Sequence, residues 1–140
     1  MIYVDTSAIV AALTEEVMTA RTRAWFERQE SGTLAISHWV AVEVASALAL
    51  KVRTKQLQLE ERNLVSAMWR AMRETGLVML PVRHEDFEHA ARMSERYELG
   101  LRASDALHVA VAFSAGCTLV SLDKVMASAA PEFGVPVIIL

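Results

Sequence analysis

The sequence predicts an α/β sandwich, a mostly parallel sheet of about five strands flanked by helices. Three observations carry this. Short, β-branched apolar runs alternate with longer segments of helical periodicity. The runs are hydrophobic throughout, as strands are when both sheet faces are covered. Five Gly and three Pro in 140 residues leave little material for long loops. In chain order, Ile2–Asp5 is the first strand, and helical patterns over Thr6–Thr14 and Val17–Gln29 follow it. Thr33–Ser37 is the second strand. From Trp39 to Thr75 there is no strand; two consecutive helices form a hairpin arm, the second with Leu64, Val65, Met68, Trp69 and Met72 on one face. Leu77–Val82 is the third strand, followed by a helix that aligns Phe87, Ala90, Ala91, Ser94 and Tyr97. A nearly all-apolar helix then begins around Asp105. Thr118–Leu122 and Val135–Leu140 complete the sheet. Gly32, Gly76, Gly100, Gly116 and Gly134 fall at or near the ends of helical patterns, where a left-handed residue is wanted.

The length fits one domain, residues 1–140, able to bury a core without disulfides. An apolar content of 54% and a charged content of 22% exclude a disordered or fibrous chain. Fourteen Lys+Arg against seventeen Asp+Glu give a net charge of −3, which excludes a strongly basic, non-specific DNA coater but allows a local basic strip. Cys117 is alone, so neither a disulfide framework nor a Cys-based zinc cage is available. No basic leader precedes Ile2, and the longest apolar stretch, Trp39–Leu50, contains Glu43 and is too short to span a bilayer. The expectation is a soluble, cytoplasmic protein with no membrane partner.

Acids in apolar places carry the chemistry. Asp5 ends the first strand, Asp123 ends the fourth, and Asp105 heads the apolar helix. Asp86 is the exception, lying among other charges on an amphipathic helix. Glu43 sits on a helix apolar nearly all round, which predicts burial, and no Lys or Arg occurs between Arg28 and Lys51 to pair with it locally. Each acid also has a plain structural reading: Asp5 and Asp105 or Ser104 as helix caps, Asp123 as a turn residue, Glu43 in a distant ion pair. Ligands of such sheets bind at the carboxyl ends of the strands, near a topological switch point. If the strand ends converge there, at least three carboxylates meet and cannot all stay ionised without a counter-charge. A divalent ion supplies it, and oxygen-only ligands point to Mg²⁺ or Mn²⁺. Acid-held Mg²⁺ is a recurring means of hydrolysing phosphodiesters without a His, Cys or Ser nucleophile.

Four segments, in order, resemble the motifs of the PIN-domain nucleases, in particular the VapC-type toxin ribonucleases of toxin–antitoxin pairs. They are Ile2-Tyr3-Val4-Asp5-Thr6-Ser7-Ala8, then Ser37 followed by Glu43, then Leu101-Arg102-Ala103-Ser104-Asp105-Ala106-Leu107-His108-Val109-Ala110, and finally Ser121-Leu122-Asp123. The resemblance covers essentially the whole chain and implies a PIN-like three-layer sandwich. It implies that Asp5, Glu43, Asp105 and Asp123 form the catalytic, metal-holding site, with Asp5 and Asp105 as direct ligands. Glu43 and Asp123 complete the site, hold a second ion or orient water. Thr6 and Ser121 are implied as hydroxyls that hold the carboxylates in place. The implied reaction is endonucleolytic hydrolysis of single-stranded or looped RNA with one or two Mg²⁺ or Mn²⁺ ions, leaving a 5′-phosphate and a 3′-hydroxyl. A homodimer and inhibition by a cognate antitoxin are implied as well. Two departures stand out: Met126 occupies a position where a larger aromatic is expected, and Arg102 puts a cation beside the third motif.

Lys51, Arg53 and Lys55 form one basic cluster and Arg21, Arg23 and Arg28 another; with Arg102, the first is the candidate track for an RNA backbone. His108, one turn after Asp105, reads as packing or as a support to the site rather than a catalyst. A haloacid-dehalogenase-type phosphatase wants a second Asp two residues after the first, and that position is Ser7. A response-regulator receiver wants a mid-chain phosphoacceptor Asp, and no Asp occurs between Asp5 and Asp86. The alternative from another class is a non-catalytic PIN-like module that binds RNA or protein.

Overall fold

The computed structural model describes residues 1–140. Strands β1 (Ile2–Val4), β2 (Leu34–Ser37), β3 (Val78–Leu80), β4 (Thr118–Ser121) and β5 (Val137–Ile139) form one sheet. Its order is β3-β2-β1-β4-β5, and every adjacent pair is parallel. Each strand lies inside the run that predicts it. The helices are α1 (Thr6–Leu13), α2 (Thr19–Phe26), α3 (His38–Arg53), α4 (Leu59–Thr75), α5 (His84–Ser94), α6 (Ala103–Ser114) and α7 (Lys124–Ala129), with 3₁₀ turns at Tyr97–Leu99 and Ala130–Phe133. No helix is long and apolar enough to cross a membrane.

The chain lays strands outward from β1 to β3 and then returns to the other side of β1 for β4 and β5. That reversal opens a crevice at the carboxyl ends of β1 and β4. Hydrophobic burial holds the frame around it. Tyr3 and Val4 of β1 and Leu119 and Val120 of β4 are wholly buried. Every residue of α6 from Ala106 to Ala112 is buried, so this helix tolerates no polar face except where a polar group has a partner. The predicted hairpin is α3–α4, which packs on the core through Val40, Val44, Leu48, Val65 and Trp69.

Two expectations need correction. The helix that carries Glu43 is not buried all round: Val42 is 59% exposed, and Leu50 is exposed too. An all-round apolar pattern fits a helix with a second apolar face as well as an enclosed one. Gly76 has φ −127°, so it needs no left-handed backbone, whereas Gly100 and Gly134 do close their 3₁₀ turns with φ 67° and 77°. Asp86, for which the sequence suggested no role, is 1% exposed, and its Oδ2 accepts the Arg83 backbone N–H at 2.7 Å. Its place in the first turn of α5 explains this, because a carboxylate there satisfies an otherwise unpaired donor and faces the positive end of the helix dipole. Asp86→Ala is expected to cost about 1 kcal/mol, read as a lower urea midpoint with unchanged slope.

Candidate active site

A pocket of about 860 Å³ opens at the crevice that the strand order marks. Asp5, Glu43, Asp105 and Asp123 all line it, although they come from four separate stretches of chain. Thr6, Ser7, Arg102, Ser104, His108 and Met126 share its wall.

Each Asp also caps a helix, as read for Asp5 and Asp105, whereas Asp123 caps α7 instead of serving as a turn residue. Asp5 follows β1 and its Oδ1 accepts the Ala8 N–H at 3.1 Å at the head of α1. Ser7 Oγ donates to both its oxygens, at 2.8 and 2.9 Å, and Ser121 Oγ donates to Oδ2 at 2.9 Å. Asp123 follows β4 and its Oδ1 accepts the Met126 N–H at 2.9 Å. Asp105 Oδ2 accepts the Arg102 N–H at 3.2 Å at the head of α6. A cap after a parallel strand points its carboxylate over the sheet's carboxyl edge, which places Asp5 and Asp123 in the crevice, while Asp105 reaches it from the head of α6, which follows a 3₁₀ turn rather than a strand.

Two serines bind the ends of β1 and β4 together. Ser121 Oγ accepts the Asp123 N–H at 2.8 Å while donating to Asp5, and Ser7 Oγ accepts the Leu122 N–H at 3.0 Å. Ser121 thus bonds the Asp5 carboxylate, and Thr6 donates to Glu43, whose Oε2 it reaches at 2.5 Å. Glu43 has no Arg partner; its Oε2 lies 2.6 Å from His108 Nε2, and its side chain keeps 22% exposure.

The electrostatics record a shortage of positive charge. Burial pushes the Asp5 carboxyl above the ordinary carboxylate range, and the neighbouring His108, Ser7, Ala8 and Ser121 offset only part of the shift. Burial also raises Asp105, and repulsion from Asp123 adds to it. For Glu43 burial acts upward too, but the hydrogen bonds from His108 and Thr6 hold it below its usual value. Arg102, exposed and free of any ion pair, is the one Lys or Arg in the pocket wall. The donor set is carboxylate oxygen throughout, which suits a hard dication. No three His, Cys, Asp or Glu side chains form a ready-made cage for an ion in this conformation.

The other basic residues lie elsewhere. Lys51 Nζ is 2.6 Å from Glu16, at 15% side-chain exposure, so its charge is engaged. Arg53 and Lys55 are exposed and unpaired but do not line the pocket. In the second cluster, Arg23 pairs with Glu15 at 3.2 Å and donates to the Ala12 carbonyl, while Arg21 and Arg28 are exposed. Met126 is 2% exposed, filling the pocket floor where the larger aromatic was expected.

Sequence reasoning missed Ser7 as a support of Asp5, although its place two residues after a capping acid was a usable signal. It also missed Glu16 in the pocket wall and the link from His108 to Tyr3. Both depend on contacts between segments far apart in the chain.

A family model for the PIN domain matches residues 2–131, and the chain belongs to this family. No curated protein gives a significant sequence match. Among solved structures, the chain is similar to FitAcB from Neisseria gonorrhoeae, with TM-score 0.71 and 20% identity over 98% of this chain and 96% of that one. It is similar to VapC20 of Mycobacterium tuberculosis, a sarcin–ricin loop cleaving toxin, with TM-score 0.72 and 19% identity over 92% and 95% of the two chains. It is also similar to VapBC2 from Rickettsia felis, solved bound to a DNA fragment from its promoter, with TM-score 0.64 and 16% identity over 100% and 99%. At these identities the likeness speaks to the fold.

Proposed function

We propose that the chain is a metal-dependent endoribonuclease that hydrolyses phosphodiester bonds of single-stranded or looped RNA and serves as the toxin of a toxin–antitoxin pair. The observation that carries this reading is the convergence of Asp5, Glu43, Asp105 and Asp123 on one pocket at the switch point of the sheet. In this reading Asp5 and Asp105 hold Mg²⁺ or Mn²⁺, and Glu43 and Asp123 complete a site for one or two ions. Such an ion, when bound, supplies an acidified water and charge neutralisation at the phosphoryl group. The chain's own residues do the positioning. Ser7 and Ser121 fix Asp5, Thr6 steadies Glu43, and the helix-capping bonds aim Asp105 and Asp123. Arg102 meets a phosphate at the rim, and Arg53 and Lys55 extend a basic track outside the pocket. The products are a 5′-phosphate and a 3′-hydroxyl.

The similarity to VapC20 supports RNA as substrate, and the similarity to VapBC2 supports an antitoxin partner. The exposed apolar residues Val42, Leu50, Leu59, Leu64 and Met68 of α3 and α4 support a homodimer or an antitoxin contact. Cytoplasmic residence is part of the same reading. Incubation of purified protein with looped RNA tests it: cleavage requires Mg²⁺ or Mn²⁺ and stops with EDTA. RNA bound but never cut in either ion would favour the non-catalytic module instead. Arg102→Ala is expected to weaken RNA binding several-fold, and the slope of log K against log salt falls by about 0.7, the value for one lost single-strand phosphate contact. Titrations at three salt concentrations read both effects.

A further inference from the structure

A line of hydrogen-bonded side chains runs from the interior of the sheet to the pocket. His108, on α6, has 3% side-chain exposure, with Nε2 at 2.6 Å from Glu43 Oε2 and Nδ1 at 3.0 Å from Tyr3 Oη. Tyr3 Oη in turn lies 2.8 Å from Ser37 Oγ. Tyr3 and Ser37 stand on the neighbouring strands β1 and β2 and are wholly buried. Packing alone does not ask for these hydroxyls, since Phe and Ala would occupy the same space without desolvating a polar group. Ser37 occupies the cap position of α3, yet its side chain makes no capping bond and is bonded to Tyr3 instead.

The direction of the line follows from donor and acceptor chemistry. Glu43, ionised, can only accept, so His108 Nε2 carries a proton. In the neutral imidazole Nδ1 then accepts from the Tyr3 hydroxyl, and Tyr3 accepts from Ser37. Burial pushes the Tyr3 hydroxyl far above the usual tyrosine range, which keeps it a donor. The line therefore fixes one tautomer and one ring orientation. At its end stands a partly buried Glu on a helix, a flexible side chain that would otherwise sample several rotamers. The bonds from His108 and Thr6 both fall on Oε2, so Oε1 is the oxygen left outside them.

We infer that His108, anchored by Tyr3 and Ser37, is a positioning residue that fixes the Glu43 carboxylate for a divalent ion in the pocket. The inference rests on the metal-centre reading above. It concerns how Glu43 is held, and the test separates the two.

The test is Mn²⁺ affinity, measured by electron paramagnetic resonance of the free ion without any RNA present. Thermal melts in EDTA run alongside. His108→Leu raises the Mn²⁺ Kd about 10- to 100-fold, the usual cost of losing a group that orients a ligand. His108→Gln, whose amide can both accept from Tyr3 and donate to Glu43, restores most of the affinity. Tyr3→Phe keeps the ring and removes the anchor, and raises Kd by a smaller factor. Wild-type protein that binds Mn²⁺ while His108→Leu binds it equally well would overturn the positioning role and leave the metal centre standing. Wild-type protein that takes up no Mn²⁺ would overturn the metal centre and this inference with it. If His108→Leu does not fold, Tyr3→Phe decides: an unchanged Mn²⁺ affinity refutes the anchoring.

Discussion

Asp5→Asn is expected to lower metal-dependent RNA cleavage on the order of 10³-fold, about 4 kcal/mol of transition-state stabilisation, with the fold intact. The substitution is nearly isosteric. Its amide oxygen still accepts the Ala8 N–H, and the Ser7 and Ser121 hydroxyls can rotate to meet a neutral group. What disappears is the negative charge of the most buried of the four acids, where a hard cation gains most from it. The Asp5→Asn, Asp105→Asn double variant should lose little more than either single one, because groups that act as a unit are not additive. Values of kcat/KM on one looped RNA, with variants purified in parallel, read this directly. An Asp5→Asn protein within tenfold of wild type would mean that the cleavage comes from another centre or another protein.

The readable part of the sequence was the part set by local chemistry. Continuous β-branched runs marked the five strands, and an acid after a strand marked Asp5 and Asp123. The strand order is a different kind of fact. Nothing near Asp105 says that α6 delivers it beside β1, since that follows from β4 pairing with β1 after a helix-rich excursion. The same reason hid the partner of Glu43. His108 is 65 residues away in sequence, and only the packing of α3 and α6 over β1 brings the two within 2.6 Å. Burial was misread where periodicity was ambiguous, on the outer face of α3, and charged neighbours left the capping role of Asp86 unnoticed. Lys51 was read only as part of a basic cluster, because the acid that engages it, Glu16, lies 35 residues earlier.

The shifted carboxylates make stability a function of pH and of metal. Asp5 and Asp105 have folded-state pKa values raised above their unfolded ones, Asp5 mainly by burial, Asp105 by burial and then by Asp123. The native state therefore binds their protons more tightly than the unfolded chain does. Their contribution is fully present below the unfolded carboxylate pKa of about 4 and is lost as pH rises through the raised folded values. Glu43 is held low, so its contribution is present above that pKa and lost as pH falls through its depressed folded value. In EDTA the Tm should thus fall as pH rises above the ordinary carboxylate range, with Asp5, the more deeply buried of the two raised acids, as the main cause. A dication removes the reason for the fall by neutralising what burial made costly. Mn²⁺ at a hundred times its Kd adds about 2.7 kcal/mol at neutral pH, and the gain shrinks toward acid pH as protons compete for the same oxygens. Asp5→Asn flattens the Tm–pH curve in EDTA and loses most of the Mn²⁺ shift. Scanning calorimetry across pH 5 to 8, with and without Mn²⁺, distinguishes this from a purely structural cluster of capping acids, which would show the same Tm with the ion as without it at every pH.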